Sequence, residues 1–343
     1  HAVAVNSATS GLHIACLALG LSKDDIVWTS PISFVASANC ALFCGANVDF
    51  IDIDKENFNL SITALNKKLI EASKLKKLPK IIIPVHMAGQ SCDMKALSKL
   101  SKKYGFKIIE DASHAIGGEH RKKKIGSCVY SHACVFSFHP VKIITTFEGG
   151  IVTTNDSKLA IKMAALRSHG IVSQNFESKE NEGAWYYEQQ SLGFNYRMSE
   201  VEAALGISQL NKIDKFVNTR NTLARNYQKL FKKYDHIDTP QVMSDNLSSY
   251  HLYIIRFKDQ NTELRNLVFR KLREAGYFVN VHYIPIYRQP YYAKFGYQRK
   301  QFPQSEAYYA EAISIPLHPD ITKKEQSKIV KIITSNEGYQ AIF

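Results

Sequence analysis

Residues 80–111 read KIIIPVHMAGQSCDMKALSKLSKKYGFKIIED, a β-rich apolar run (80–86), a helical pattern (92–104) and a second apolar run (106–110) that ends in acid. In the middle segment Met94, Leu97, Leu100 and Tyr104 recur at near-helical spacing, while Lys95, Lys99, Lys102 and Lys103 face away. Two β-rich runs joined by one helix make a crossover unit, and crossover units build parallel, buried sheets. Working outwards, the same alternation continues. A strand over 26–30, a helix over 33–44, a strand over 48–53 and a helix over 61–77 precede it, and strands near 132–137 and 151–154 follow. The fold class is α/β.

Beyond the alternation, SKLAIKMAALRSHG (157–170) predicts a helix ending at Gly170. The stretch IVSQNFESKENEGAWYYEQQS (171–191) has no clear period and reads as a long loop. Residues 198–233 predict one or two long helices. From about 240 the pattern changes to a strand (HLYIIRF), a helix (TELRNLVFRKLREAG), a strand (YFVNVHY), a loop rich in Pro and Tyr, and a last helix near 322–335. This predicts a large domain over 1–233 and a small α+β domain over 234–343. A length of 343 residues with 45% hydrophobic content suits two cores.

Apolar runs such as KIIIPVH and HACVFSF fall far short of the roughly 20 residues that cross a bilayer, and nothing resembles a signal peptide. A cytoplasmic location is the expectation. The chain begins HAVAVNSATS, inside what reads as a strand, which predicts that residues lie upstream. All six cysteines fall within the first 134 residues without a CxxC pair. Cys16, Cys40 and Cys44 sit in apolar helical patterns, so buried reduced thiols are expected rather than disulfides or a metal site. The net charge of +13 suits nucleic acid, an anionic membrane or anionic small substrates. Its densest run, EHRKKKIGS (119–127), reads as a solvated hairpin tip, and no basic stripe interleaved with aromatics appears. Anionic small molecules are therefore favoured over nucleic acid.

Three segments carry the chemistry. NSATSGLH (6–13) runs hydroxyl residues into a helix, whose free N–H groups can hold a phosphate or simply be capped. The strand KIIED ends in Asp111 with His114 three residues on, and ligands of open α/β sheets gather beyond the carboxyl ends of strands. A plain turn cap is the alternative for Asp111. In SFHPVKIITTFEGG (137–150), Ser137, His139 and Lys142 follow a strand and should reach the same edge. A lysine in a dry crevice loses its proton more easily, becoming a nucleophile for a carbonyl. A phosphate site, an aspartate and such a lysine together are what pyridoxal phosphate requires.

The chain resembles the DegT/DnrJ/EryC1/StrS sugar aminotransferases over nearly its whole length. The resemblance rests on ordered strings: NSATSGLH, PISFVASANCALFCGA, PVHMAGQSCDM, IEDASHAIG, FSFHPVKIITTFEGGIVTTND, LRSHGI, LGFNYRMSEVEAALG and VHYIPIY. It implies the type I fold of pyridoxal phosphate (PLP) transferases, with a mainly parallel sheet in the large domain. It also implies that Lys142 bonds the cofactor's aldehyde and shuttles the proton, and that Asp111 pairs with the pyridine nitrogen. Phe34 would stack on the ring, with His114 beside it. Thr9, Ser10 and Ser137 would bind the phosphate. Asn195 would reach the phosphate of a neighbouring subunit, making the active unit a homodimer. Arg197, His282 and Tyr283 are candidates for substrate contact, with surface pairing or packing as the other reading; no metal is implied. His86 and His139 are expected to position the sheet edge, and His13 to be structural.

TSPISF (29–34), AGQSCDM (88–94), TTFEGG (145–150) and VNVHYIPIY (279–287) are similar to the members of pseudaminic acid biosynthesis. The implied reaction loads the amine of glutamate on PLP as its amine form, PMP. It then delivers the amine to the 4-keto carbon of a UDP-linked 6-deoxy-N-acetylhexosamine. Other nucleotide keto-sugars, and a non-catalytic relative that binds nucleic acid or a protein, are the alternatives. Phe147 stands where most members have glycine, and an upstream segment that helps form the family's substrate pocket is missing from this sequence.

Overall fold

Seven strands form the central sheet: β1 (Ala2–Val5), β2 (Ile26–Thr29), β3 (Asn47–Phe50), β4 (Ile81–Ile83), β5 (Lys107–Asp111), β6 (Ala133–Ser137) and β7 (Gly150–Thr153). Their order is β1-β7-β6-β5-β4-β2-β3. Neighbours from β3 to β6 pair in parallel, whereas β7 runs antiparallel to both β6 and β1. The structure is a computed structural model describing residues 1–172 and 185–335. The middle of the expected long loop, 173–184, lies outside the described residues. Its flanks, Ile171–Val172 and Glu188–Gln189, pair as a short antiparallel ribbon.

Helices cover both faces: α1 (Ala8–Ala18), α2 (Ala36–Phe43), α3 (Ile62–Lys74), α4 (Met94–Tyr104) and α5 (Ser157–Arg167). The limits of α4 follow from its ends. Asp93 accepts a hydrogen bond from Ala96 N at 3.0 Å, and Gly105 turns the chain at φ +84°. One core joins α1, α2 and α5 to the sheet through Ile14, Ala41, Val135 and Met163; the opposite face packs Trp28, Leu65, Leu97 and Ile108.

After α6 (Glu200–Leu210) and α7 (Ile213–Phe231), a second core forms around α8 (Thr262–Glu274) and α10 (Lys323–Thr334). Its sheet orders β8 (Ile237–Asp238), β9 (Tyr253–Phe257) and β10 (Ala312–Ile315), with α9 (Pro303–Glu311) leading directly into β10. The second half of α7 packs into this core through Leu223, Tyr227 and Phe231. Two features differ from the sequence reading. YFVNVHY is no strand: it makes a single bridge, Asn280 to Ser314, and then crosses to the first core, where Ile286 N bonds Pro31 O at 2.9 Å. On its other side from β8, β9 pairs with β10, which follows α9 without a break and so merges with it in the sequence pattern.

The basic hairpin is present, Glu119–His120 pairing with Lys123–Lys124 across Arg121 and Lys122, both at positive φ. Among the described residues, no helix is long and apolar enough to cross a membrane.

Candidate active site

The carboxyl ends of β5 and β6 meet the first turn of α1 around a cavity of about 250 Å³. Asp111, the last residue of β5, is buried there. Ser37 Oγ donates to its Oδ2 at 2.6 Å, and Ser113 donates to Oδ1 from both its backbone N (3.1 Å) and its Oγ (2.6 Å). At the strand end, the carboxylate is fixed from both sides. Behind it, Glu110 turns to the other face and takes His86 Nε2 at 2.7 Å. Burial opposes charge on His86, but hydrogen bonds to Cys92 and Glu110 raise it to about 10. This pair ties β4 to β5 and faces no cavity residue's chemistry.

Lys142 stands in the loop between β6 and β7. Phe138 anchors both ends of that loop: its N donates to Gly149 O and its O accepts from Thr146 N, each at 2.9 Å. Lys142 N donates to His139 O at 2.9 Å, a tight turn that aims the side chain into the cavity. Burial lowers the Lys142 amine from its ordinary 10.5 to about 8, against the pull of Asp111, which favours the ammonium. The loop's Phe147 takes φ +66° with its ring exposed. That is backbone space where glycine is favoured, which accounts physically for the family's usual residue there.

His114 is buried beside this lysine, its Nε2 3.1 Å from Tyr283 Oη. Burial, followed by the nearby Lys142, His251 and His282, holds its imidazole well below the usual range, so it is neutral. Burial likewise pushes the Tyr283 phenol up, with Asp111 adding to it. His282 is lowered to about 4 by burial and Lys142; its Nδ1 pairs with Ser314 Oγ at 2.8 Å, and it lines a neighbouring cavity rather than this one.

The helix start forms the other wall. Ser7, Ala8 and Thr9 line the cavity with Ser137 at the end of β6. Ser7 Oγ caps α1 by accepting from Ser10 N at 3.1 Å. Ser10 turns away, its hydroxyl 2.6 Å from Asn6 Oδ1. Gly150 permits the close approach: a Cβ there would lie 2.7 Å from Ala8 N and 2.8 Å from Ser7 C.

Phe34 lines the mouth, 60% exposed, its ring 6.4 Å from that of Tyr283. Asn195 and Arg197 lie outside the cavity on an exposed segment, Asn195 bridging to Ser168. His139 lines the rim, its Nε2 3.8 Å from Glu148 Oε1. His13 pairs its Nδ1 with Tyr196 Oη at 3.2 Å, away from the cavity. Sequence reasoning passed over Ser37, Ser113 and Glu148, and took in Ser7 only as one of the hydroxyls leading into the helix. Ser113 alone carried a signal, standing two residues after an aspartate in a turn.

The cavity joins a nucleophilic amine of lowered basicity, a clamped carboxylate and a helix start that suits a phosphate. Comparison with known proteins gives this set a lineage. The family model described as the DegT/DnrJ/EryC1/StrS aminotransferase family matches residues 1–334. The chain is 40% identical over 334 residues to UDP-4-amino-4,6-dideoxy-N-acetyl-beta-L-altrosamine transaminase of Campylobacter jejuni, covering 96% of this chain and 84% of that one. Its structure superposes on Helicobacter pylori PseC, an aminotransferase involved in the biosynthesis of pseudoaminic acid, with TM-score 0.88 at 33% identity, covering 100% of this chain and 87% of that one. Spr1654 of Streptococcus pneumoniae, solved in its PLP form, is also similar, with TM-score 0.87 at 25% identity, covering 100% and 88%. The chain therefore belongs to the DegT/DnrJ/EryC1/StrS aminotransferase family and is an aminotransferase.

Proposed function

We propose that this aminotransferase holds pyridoxal phosphate in the Lys142 cavity. With it, the enzyme would move the amine of glutamate to the 4-keto carbon of a UDP-linked 6-deoxy-N-acetylhexosamine. The observation that carries the reading is the placement of Lys142 in one cavity with an Asp111 already gripped on both oxygens. The residues suit the cofactor. A buried Nδ1 of His114 has no partner in the structure, and the cradle of Ser7, Ala8, Thr9 and Ser137 stays open only because residue 150 lacks a side chain. Pyridoxal phosphate, when bound, supplies an aldehyde for amines and a ring that accepts carbanion charge.

The protein's part follows from its own groups. Asp111 would stabilise a protonated ring nitrogen, and its two serine donors hold the carboxylate in that direction. Lys142 Nζ, lowered to about 8, takes up and returns a proton near neutral pH. His114, neutral and hydrogen-bonded to Tyr283, adds no competing positive charge beside the ring. Thr9 and Ser137 would meet the phosphate at the start of α1, and Phe34 would cover one ring face.

A homodimer belongs to the same proposal. No residue of α6 is buried, although Val201, Ile207 and Leu210 are large and apolar, and Leu192, on the segment that precedes it, is 81% exposed. Asn195 and Arg197 lie on the chain leading into this face, where a second copy would bring them to its own cavity.

The sugar assignment rests on the C. jejuni and H. pylori relatives. Incubation with glutamate and a panel of UDP-, GDP- and dTDP-linked keto-sugars, followed by identification of the amino product, tests it. Borohydride treatment of the PLP-loaded chain should fix the cofactor's mass on the Lys142 peptide. A chain that neither gains that mass nor aminates any keto-sugar refutes the proposal.

A further inference from the structure

The wall between the Lys142 cavity and its larger neighbour is built of paired rings. The neighbour encloses about 590 Å³ and shares Val141 with the Lys142 cavity. At two further places, side chains in contact divide between the two sides. Tyr283 lines the Lys142 cavity and His282 the other, their ring centroids 4.9 Å apart. His114 lines the first and His251 the second, with centroids 4.5 Å apart and planes at 45°. His251 comes from the chain just before β9 and is 7% exposed, whereas His114 follows β5. The partition therefore forms where the two cores meet.

A buried guanidinium fixes the His251 side of this wall. Arg220 on α7 donates from Nη1 to Leu317 O at 2.8 Å, Tyr250 O at 3.0 Å and His251 O at 3.3 Å. Carbonyls from two segments are gathered on one nitrogen, so the chain at 250–251 cannot retreat without leaving a charged donor short of partners. Ser249 Oγ donates to His114 O at 3.0 Å, which ties the same segment to the backbone of His114. Gly89 allows the approach: a Cβ there would lie 2.6 Å from Ser249 Oγ and 2.8 Å from Tyr250 N. Yet Nδ1 of the His251 ring is buried and has no hydrogen-bond partner. A ring placed so firmly and bonded so poorly contributes its shape.

We propose that His251 is a positioning residue for aminotransfer: its ring closes the wall behind His114 and keeps the water of the larger cavity away from His114 and Lys142. A role in aminotransfer rests on the reading of the Lys142 cavity as the cofactor site. Behind the wall, His114 keeps its hydrogen bond to Tyr283 and carries no charge, its imidazole held down first by burial. The titratable groups around the pair are Lys142 from the β6–β7 loop, His282 and Tyr283 from the crossing chain, Arg220 from α7 and Asp111 at the end of β5. Lys142, His251 and His282 all oppose a proton on His114. Removing the His251 ring relieves the burial and one of those three groups at once, so both changes act in the same direction and let His114 charge.

The test follows the imidazole resonances of His114 against pH in the cofactor-free full chain, assigned through their loss in His114→Gln. In the parent, His114 should not titrate near the ordinary imidazole value of about 6.5; in His251→Ala it should. His251→Phe, which keeps a ring and removes both nitrogens, should behave as the parent. Exchange of the imidazole Cε1 hydrogen for deuterium gives a reading on the parent alone, independent of whether a variant folds. There His114 should exchange at least about tenfold more slowly than the exposed His318. In the PLP-loaded enzyme, His251→Ala should lose about tenfold in kcat between pH 7.5 and 5.5 beyond the parent's own change. An unshifted His114 in His251→Ala, a His114 that titrates near 6.5 in His251→Phe, or parent exchange at His114 as fast as at His318 overturns the proposal. A shifted His114 in a chain that moves no amine to any keto-sugar upholds the partition and counts against the function proposed above instead.

Discussion

Ser37 on α2 reaches across to the end of β5 and donates its hydroxyl hydrogen to Asp111 Oδ2 at 2.6 Å, while Ser37 Oγ itself lies 2.7 Å from Ser33 Oγ. A buried carboxylate is thereby oriented before any ligand arrives, and the orientation comes from a different element than the one that carries the charge. Hydrogen bonds to a charged group contribute about 1.5–3 kcal/mol. Ser37→Ala should weaken PLP binding by about 10- to 100-fold, measured by cofactor absorbance on titration. Unchanged affinity would mean that Ser113 alone orients Asp111.

Lys142 gives a prediction with a pH signature. Its amine is lowered from 10.5 in the unfolded chain to about 8 in the fold, so the folded state resists charging it. The cost of holding that proton is present in full below pH 8 and disappears as pH rises towards 10.5. Lys142→Met should abolish aminotransfer and stabilise the cofactor-free chain by about 1–3 kcal/mol at pH 7, with the gain absent at pH 10.5. Paired urea unfolding curves of variant and parent at both pH values check it. A variant less stable than the parent at pH 7 would contradict the lowered basicity.

The parts of this molecule that were readable in the sequence share a cause. The α4 stripe of Met94 and Leu97 and the β-rich runs around it carry their own periodicity, and Asp111 ends one strand while Lys142 lies in the loop after the next, where the sheet's direction places them. Ser37 was not readable, because a serine inside an apolar helix gains its role only when α2 docks on β5. The Cys16 and Cys40 contact likewise exists only through the α1 and α2 packing. YFVNVHY has strand composition, yet the first core claims its end through Ile286 and Tyr287 before pairing can extend. Local pattern gives elements; contacts between residues far apart in sequence decide these details.

Phe147 tests a backbone effect without touching the chemistry. Its φ of +66° disfavours a side chain, and its ring is 70% exposed, so little burial offsets the strain. Phe147→Gly should stabilise the fold by about 1 kcal/mol, read as a raised thermal midpoint. A lowered midpoint would show that the ring is covered in the assembled protein, as it would be if a second copy packs on the Lys142 loop.

The α6 face provides the test of assembly. Ser199 and Glu202 form a capping box that fixes the helix start, so α6 needs no neighbour to begin, yet Val201, Ile207 and Leu210 are all exposed along it. Burial of such side chains contributes about 1.5–3 kcal/mol each, and a charge placed among them removes that gain and adds a desolvation cost. Ile207→Glu should convert a dimer into a monomer in sedimentation at micromolar concentration, with little change in the circular dichroism of the chain. If Asn195 completes the cavity of the other copy, the monomer should also bind PLP more weakly, and adding a Lys142→Met chain that retains the α6 face should not restore it. An Ile207→Glu chain that remains dimeric would place the contact between copies elsewhere on the surface.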